Sequence, residues 1–296
     1  MLKVDTKKAI MVFGETGALG RAICAQANKI GLPLIKVGRA DLDLGLNAKS
    51  IEGYINDHSP GLLINCACLT GLDKCNLQRK EAIEVNGYFP HKLFLGSQKN
   101  RIPLIHFSTD SVFSCDENGP LNTETSTPQP TTWYGLTKYL GESFLGGSDN
   151  CLTIRMPMLY GPTNQHQIIG KLLQKIKSGE NIQVSNDVFN TLTYTPDIVG
   201  WVLDFILGKQ TFSNNLVHLT SDKRLSIYEF MAYIARFFGL ENKVLSTSCD
   251  RFKSAEQKPR FGGLKSDYVK EFSFQNAIDE YINWLLEQDK GKKVCL

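Results

Sequence analysis

Ala9-Ile-Met-Val-Phe13-Gly14-Glu-Thr-Gly17-Ala-Leu-Gly20 joins an apolar run to a glycine turn near the start of the 296-residue chain. Ala9 to Phe13 is short and wholly apolar, the composition of a strand buried on both faces. Three glycines follow at once, and Ala18 to Ile30 then carries helix-forming residues. A strand, a glycine turn and a helix in this order let backbone approach a pyrophosphate, whose charge meets the helix N-terminus. Gly14, Thr16, Gly17, Ala18, Leu19 and Gly20 are therefore candidate nucleotide-binding residues.

Outward from this turn, Leu34 to Val37, Leu62 to Ile64, Pro103 to Phe107 and Leu152 to Ile154 repeat the short apolar strand signal, with helical stretches between them. Strands and helices alternating at this spacing predict βαβ units and a parallel sheet with right-handed crossovers. The expected fold class is α/β, a Rossmann-type doubly wound parallel sheet with a smaller C-terminal α/β substrate domain. The boundary falls at residue 160, giving 1–160 and 161–296, with segments near 190–222 returning to the first domain.

After Tyr160 the rhythm loosens to a helix near Gly170 to Lys177, a strand near Ile182, a helix near Pro196 to Leu207 and a strand near Val217. Ser226 is placed to cap a helix whose Ile227, Phe230, Met231, Ile234, Phe237 and Phe238 share one face and read as core. Ile278, Tyr281, Ile282 and Leu285 repeat that pattern, and Asp289 to Leu296 reads as a solvated tail.

Thirty-three basic and 30 acidic residues are scattered along the chain, leaving a formal charge of +3 and no footprint for nucleic acid or a membrane surface. No run approaches the roughly 20 apolar residues of a membrane span, and Met1 to Lys8 lacks a signal peptide's long apolar stretch. Eight cysteines without paired spacing read as reduced thiols of a cytoplasmic protein. His58, His91, His166 and His218 show no metal-ligand spacing, and Cys66, Cys68 and Cys75 lack a matching second pair, so no metal is expected.

An acidic residue at the end of the second strand would grip the ribose diol of NAD and repel the extra phosphate of NADP. Val37-Gly38-Arg39 offers a cation there, which favours NADP(H) over NAD(H) unless Arg39 only decorates the surface or pairs with Asp41. Asp43 and Leu44 stand where they can bond and cover an adenine, though they read equally as a loop turn. The third strand, within Gly61 to Cys68, ends in small residues including Ala67, which would let a cofactor lie close.

Tyr134-Gly-Leu-Thr-Lys138 puts a phenol and an ammonium on one helix face, about one turn apart. A free tyrosine titrates near pH 10, and a neighbouring cation is expected to pull that value down and make the phenol a usable acid. His106-Phe107-Ser108-Thr109-Asp110 ends the fourth strand with small hydroxyls at the carboxyl edge of the sheet, where ligands of such sheets sit. Thr109 is the candidate to polarise a substrate carbonyl while Tyr134 donates the proton; the same cluster also reads as a turn. His106, inside the strand, reads as a satisfied core histidine.

These blocks, with Asn65-Cys-Ala-Cys-Leu-Thr70-Gly-Leu-Asp73-Lys74, Ser108-Thr109-Asp110-Ser-Val-Phe113 and Gly141-Glu142, resemble the extended short-chain dehydrogenase/reductases and, within them, the dTDP-4-dehydrorhamnose reductase family. The resemblance is collinear from Ala9 to about Asp197, and the two-residue gaps of the glycine turn suit it. It implies that Gly17, Ala18 and Leu19 touch a pyrophosphate, that Asp43 and Leu44 frame the adenine, and that Cys68, Leu69, Thr70 and Phe107 line the cofactor. Thr109 and Asp110 would contact the sugar, and Tyr134 with Lys138 would serve reduction at C4 of a 4-keto-6-deoxy nucleotide sugar, a step of dTDP-rhamnose and polysaccharide biosynthesis. A homodimer is the assembly it admits.

The chain departs from the family at Ser111, at Met158, where a substrate-contacting tryptophan is usual, and in Lys258 to Leu264. Arg155-Met-Pro-Met-Leu-Tyr160-Gly161-Pro162 also resembles sugar epimerases of the wider superfamily. Besides reduction, the resemblance leaves open another nucleotide-sugar reductase or epimerase, and a non-catalytic subunit like the β subunit of methionine adenosyltransferase.

Overall fold

The computed structural model describes residues 2–293 except 44, 46, 115–118, 211 and 253–258. From the N-terminus the chain runs β1 (Ile10–Phe13), α1 (Ala18–Lys29), β2 (Leu34–Val37), α2 (Ala48–His58), β3 (Leu62–Asn65), α3 (Leu72–Leu77) and α4 (Arg79–Ala82). A π-helical turn, Ile83–Tyr88, joins α4 to α5 (Phe89–Asn100), and β4 (Leu104–Thr109), α6 (Trp133–Ser143) and β5 (Cys151–Met156) follow. The second half holds β6 (Leu159–Tyr160), α7 (Ile168–Lys177), β7 (Ile182–Ser185), β8 (Phe189–Asn190) and β9 (Thr193–Tyr194). It continues through α8 (Thr195–Ile206), β10 (Leu216–His218), β11 (Leu225–Ser226), α9 (Ile227–Phe237), β12 (Val244–Thr247) and α10 (Phe274–Lys293).

Six of these strands make one parallel sheet in the order β10-β5-β4-β3-β1-β2. Because β1 lies between β2 and β3, the glycine turn that follows it sits where the strand order reverses, the place where open α/β sheets bind ligands. Successive residues of β1 face opposite ways: Ile10 and Val12 pack with α1 and α8, Met11 and Phe13 with α2 and α5. All four are 1% exposed or less, so each side chain contributes roughly 1.5–3 kcal/mol of apolar burial. Helices thus cover both faces, as an apolar, non-alternating strand requires.

A second core gathers Tyr160, Tyr194 and Tyr281 with the buried sides of α7, α9 and α10. Ser226 caps α9 as expected, accepting from the Glu229 N–H while Glu229 reaches back to the Ser226 N–H. Two expectations need correction. Phe237 is 51% exposed; ten residues beyond Ile227, it has drifted to the margin of the apolar stripe, and its ring meets Tyr233 instead. The tail from Asp289 is not loose at its start: α10 continues to Lys293, and Asp289 accepts from Lys177 Nζ at 2.7 Å.

Candidate active site

At the turn after β1, Gly14 adopts φ +75°, and a Cβ there would lie 2.6 Å from the Ala67 nitrogen. A side chain at this position would therefore separate β1 from the end of β3. Gly17, exposed, has only the Gly14 carbonyl oxygen within 4 Å of a built Cβ, at 3.2 Å, so its other side is open. Among the described residues no side chain caps α1, whose first-turn N–H groups have no intrahelical acceptors and can offer the positive helix end to an anion. This cradle fits a dinucleotide's pyrophosphate. Thr16 is exposed beside it, whereas Leu19 is core and Gly20 is closed in by the Gly14 carbonyl; those two serve the turn's packing through their side-chain positions.

Arg39 is exposed on the turn after β2, and among the described residues no carboxylate pairs with it. The alternative pairing with Asp41 is not seen; Asp41 Oδ2 instead accepts the Gly38 N–H at 2.8 Å. Asp43 Oδ1 accepts the Gly45 N–H at 2.9 Å, which is the loop-turn reading, and Leu44 lies outside the described residues. β3 ends at Asn65, so Ala67 to Thr70 form an irregular crossing in which Ala67 and Leu69 are buried and Thr70 is exposed. Phe107 is a core side chain whose carbonyl, not its ring, faces the site.

β1, β3 and β4 are neighbours in the sheet, so the glycine turn and Thr109 lie at the same carboxyl edge, two strands apart. The Tyr134 phenol lies close enough to the Thr109 hydroxyl and the Cys68 thiol for both to act on its acidity. Thr109 Oγ1 donates to Asp110 Oδ1 at 3.1 Å and accepts the Ser111 N–H at 3.2 Å, so it caps a turn beside the phenol. Lys138, 2% exposed, directs Nζ at the Phe107 carbonyl oxygen, 2.6 Å away.

The phenol's acidity differs from expectation. Burial pushes Tyr134 well above its ordinary range, with Cys68 and Asp110 adding to the rise and the Thr109 hydrogen bond opposing it. Lys138 does not reverse this, because its ammonium is turned to the β4 backbone. The phenol is thus kept protonated, the form that can donate.

Asp110 is 8% exposed and bonded by the protein's own groups: Asn190 Nδ2 donates to Oδ2 at 2.7 Å, and Thr109 Oγ1 donates to Oδ1 at 3.1 Å. Its carboxylate is raised by burial despite these bonds. Met158 packs against the second core, and its carbonyl accepts the Thr193 N–H. His106 is fully buried and held neutral by burial and by Lys138. Asn65 Oδ1 accepts the Ala67 N–H, so Asn65 Nδ2 donates to His106 Nδ1 and the proton sits on Nε2. That Nε2 has no partner among the described residues, so this core histidine is only half satisfied by them.

The RmlD substrate binding domain family matches residues 8–285. The chain belongs to this family. A dTDP-4-keto-6-deoxy-D-glucose reductase of Streptomyces niveus is 26% identical over 264 residues, covering 88% of this chain and 90% of that protein. A dTDP-4-dehydrorhamnose reductase structure from Clostridium acetobutylicum superposes with TM-score 0.83 at 28% identity, covering 94% of this chain and 99% of that one. One from Bacillus anthracis, in complex with NADP, gives TM-score 0.84 at 22% identity over 93% of this chain and 98% of that one.

Within this RmlD-family chain the sequence reading missed Asn86. It is fully buried in the π-helical turn; its Oδ1 accepts the Leu69 N–H at 2.8 Å, and its Nδ2 donates to the Leu69 carbonyl and to Thr137 Oγ1. Asn86 thereby ties the crossing beside Tyr134 to the helix that carries it. The available signal was Asn86-Gly87 inside a helical stretch, since π-bulges recur at functional sites.

Helix α6 approaches this turn closely enough that a Cβ on Gly141 would collide with the Asn86 carbonyl oxygen. Gly141→Ala gains about 1 kcal/mol of helix propensity but incurs an overpacking cost near about 3 kcal/mol against immobile backbone. The collision wins, and a thermal melt is expected to fall by about 4–8 °C. Gly200→Ala, with open space around the built Cβ, is the control and is expected to melt slightly higher.

Proposed function

We propose that this protein uses NADPH to reduce the C4 keto group of a nucleotide-linked 4-keto-6-deoxy sugar, yielding a deoxysugar nucleotide such as dTDP-L-rhamnose. The observation that carries this reading is the gathering of Tyr134 and Lys138 beside Thr109 at the ligand-binding edge of the sheet, with Lys138 Nζ on the Phe107 carbonyl two residues before Thr109. Membership of the RmlD family and relatives named as ketosugar reductases support it. The product would feed cytoplasmic polysaccharide biosynthesis.

Bound NADPH would supply the hydride. The Gly17-Ala18-Leu19 backbone holds the pyrophosphate, Arg39 the extra phosphate, and the crossing from Ala67 to Thr70 the rest of the dinucleotide. Thr109 hydrogen-bonds the carbonyl oxygen as negative charge builds on it, and Tyr134 delivers its proton to that oxygen. Lys138 orients the nicotinamide ribose. Residues 1–160, with the returning segments near 190–222, hold the cofactor; 161–296, with Met158 at their margin, enclose the sugar. Asp110 acts at the sugar's edge through the loops it anchors.

An NADPH-oxidation screen of 4-keto-6-deoxy sugars carrying different bases, with product analysis, tests this reading. Net NADPH consumption with formation of a C4 hydroxyl supports reduction; recycling of the cofactor would indicate an epimerase. Arg39→Ala is expected to weaken NADPH binding about tenfold, the loss of one charge-assisted phosphate contact, and to leave NADH unchanged. Titration of cofactor fluorescence reads both, and equal losses would remove the NADP assignment.

A further inference from the structure

Behind the proposed reacting groups lies a buried charge network that the chemistry above does not use. Glu142 follows Lys138 by four residues and Tyr134 by eight, so all three lie on one face of α6. Arg155 stands on β5 directly opposite Ser108 and one residue short of the pair Thr109 and Met156. Arg155 Nε donates to Glu142 Oε1 and Oε2 at 3.1 and 3.0 Å, and Nη2 donates to Oε2 at 2.7 Å. The two side chains are only 5% and 6% exposed.

The remaining sides of the guanidinium are also held. His218, paired with Arg155 across β10 and β5, turns Nε2 toward Arg155 Nη1 at 3.5 Å. Its Nδ1 is 3.0 Å from the Lys265 carbonyl oxygen and so carries the proton, leaving Nε2 to accept. The guanidinium lies over the Phe113 ring, 5.0 Å from the centroid. The His218 N–H is in turn bound by Glu124, whose carboxylate also accepts from Ser266 Oγ and the Asp267 N–H.

A buried ion pair adds little net stability relative to apolar side chains of the same volume. What apolar packing cannot replace is direction: a guanidinium fork fixes a carboxylate in distance and orientation together. We propose that Arg155 and Glu142 are positioning residues that set the height and rotation of α6 against β4 and β5, and so hold Tyr134 and Lys138 in register with Thr109. The proposal rests on the reading of Tyr134, Lys138 and Thr109 as the reacting groups. A displacement of about 1 Å between such groups can lower the rate about 100-fold.

The decisive variant is the double substitution Arg155→Met with Glu142→Leu in the full chain, which removes both charges and keeps the volume. It is expected to melt within a few degrees of wild type, while kcat falls about 100-fold and the KM for sugar changes less than about threefold. Backbone amides of residues 134–143 are expected to exchange faster with solvent deuterium, without change in β1 and β3. Arg155→Lys, which keeps the charge but loses the fork, is expected to fall between wild type and the double variant in kcat. A folded double variant with kcat within about threefold of wild type and unchanged exchange in α6 overturns the proposal. Should the wild type reduce no ketosugar, the functional reading fails by itself, and exchange in α6 alone decides the positioning role: unchanged protection there overturns it.

Discussion

Tyr134→Phe is expected to lower turnover by about 100- to 10,000-fold, the range for loss of a positioned general acid, while NADPH binds within about twofold of wild type. The substitution deletes one oxygen. That oxygen lies beside Thr109 and Cys68, and the ring keeps its packing in the cluster with Trp133 and Leu69. Since burial raises the phenol's pKa, the proton is in place throughout the neutral range, and wild-type activity should not fall through neutral pH for want of the acid. Stopped-flow mixing of NADPH-loaded protein with ketosugar checks the rate, and equilibrium titration checks the affinity. Unchanged turnover in the variant would remove Tyr134 from the chemistry.

Lys138→Met is expected to separate activity from stability. Turnover should fall more than about 100-fold and NADPH affinity about tenfold, because the ammonium holds the ribose that presents the nicotinamide. Stability should hardly change. The wild-type side chain is 2% exposed and bonds the Phe107 carbonyl oxygen, so its one charge-assisted hydrogen bond is offset by the cost of burying the ammonium. Methionine keeps most of the volume at no such cost. A melt paired with steady-state kinetics reads both quantities, and an inactive variant that has also unfolded would show Lys138 to be structural instead.

The sheet was legible because its strands are short, apolar and separated by helical segments; β1 with its turn needed no more than Ala9 to Gly20 to be read. Return of β10 to the sheet was legible from the same apolar signal at Val217. Side-chain direction across the sheet was not. A four-residue spacing puts Tyr134 and Lys138 on one face of α6, yet it does not say that the ammonium reaches the Phe107 carbonyl while the phenol reaches Thr109. The phenol's acidity was misjudged for the same reason, since burial depends on tertiary neighbours and outweighs a cation that points elsewhere. Asn86 stayed hidden because its partners, Leu69 and Thr137, are 17 and 51 residues away in the chain. The bond from Asn190 to Asp110 was not legible, because Asn190 comes from the irregular second half.

The most direct test mixes the purified protein and NADPH with a dTDP-linked 4-keto-6-deoxy sugar and follows cofactor and product together. The account predicts stoichiometric loss of NADPH with a new C4 hydroxyl on the sugar, abolished in Tyr134→Phe. Tight NADPH binding with no sugar reduced, whatever the base it carries, would contradict it and point to a binding role for this fold.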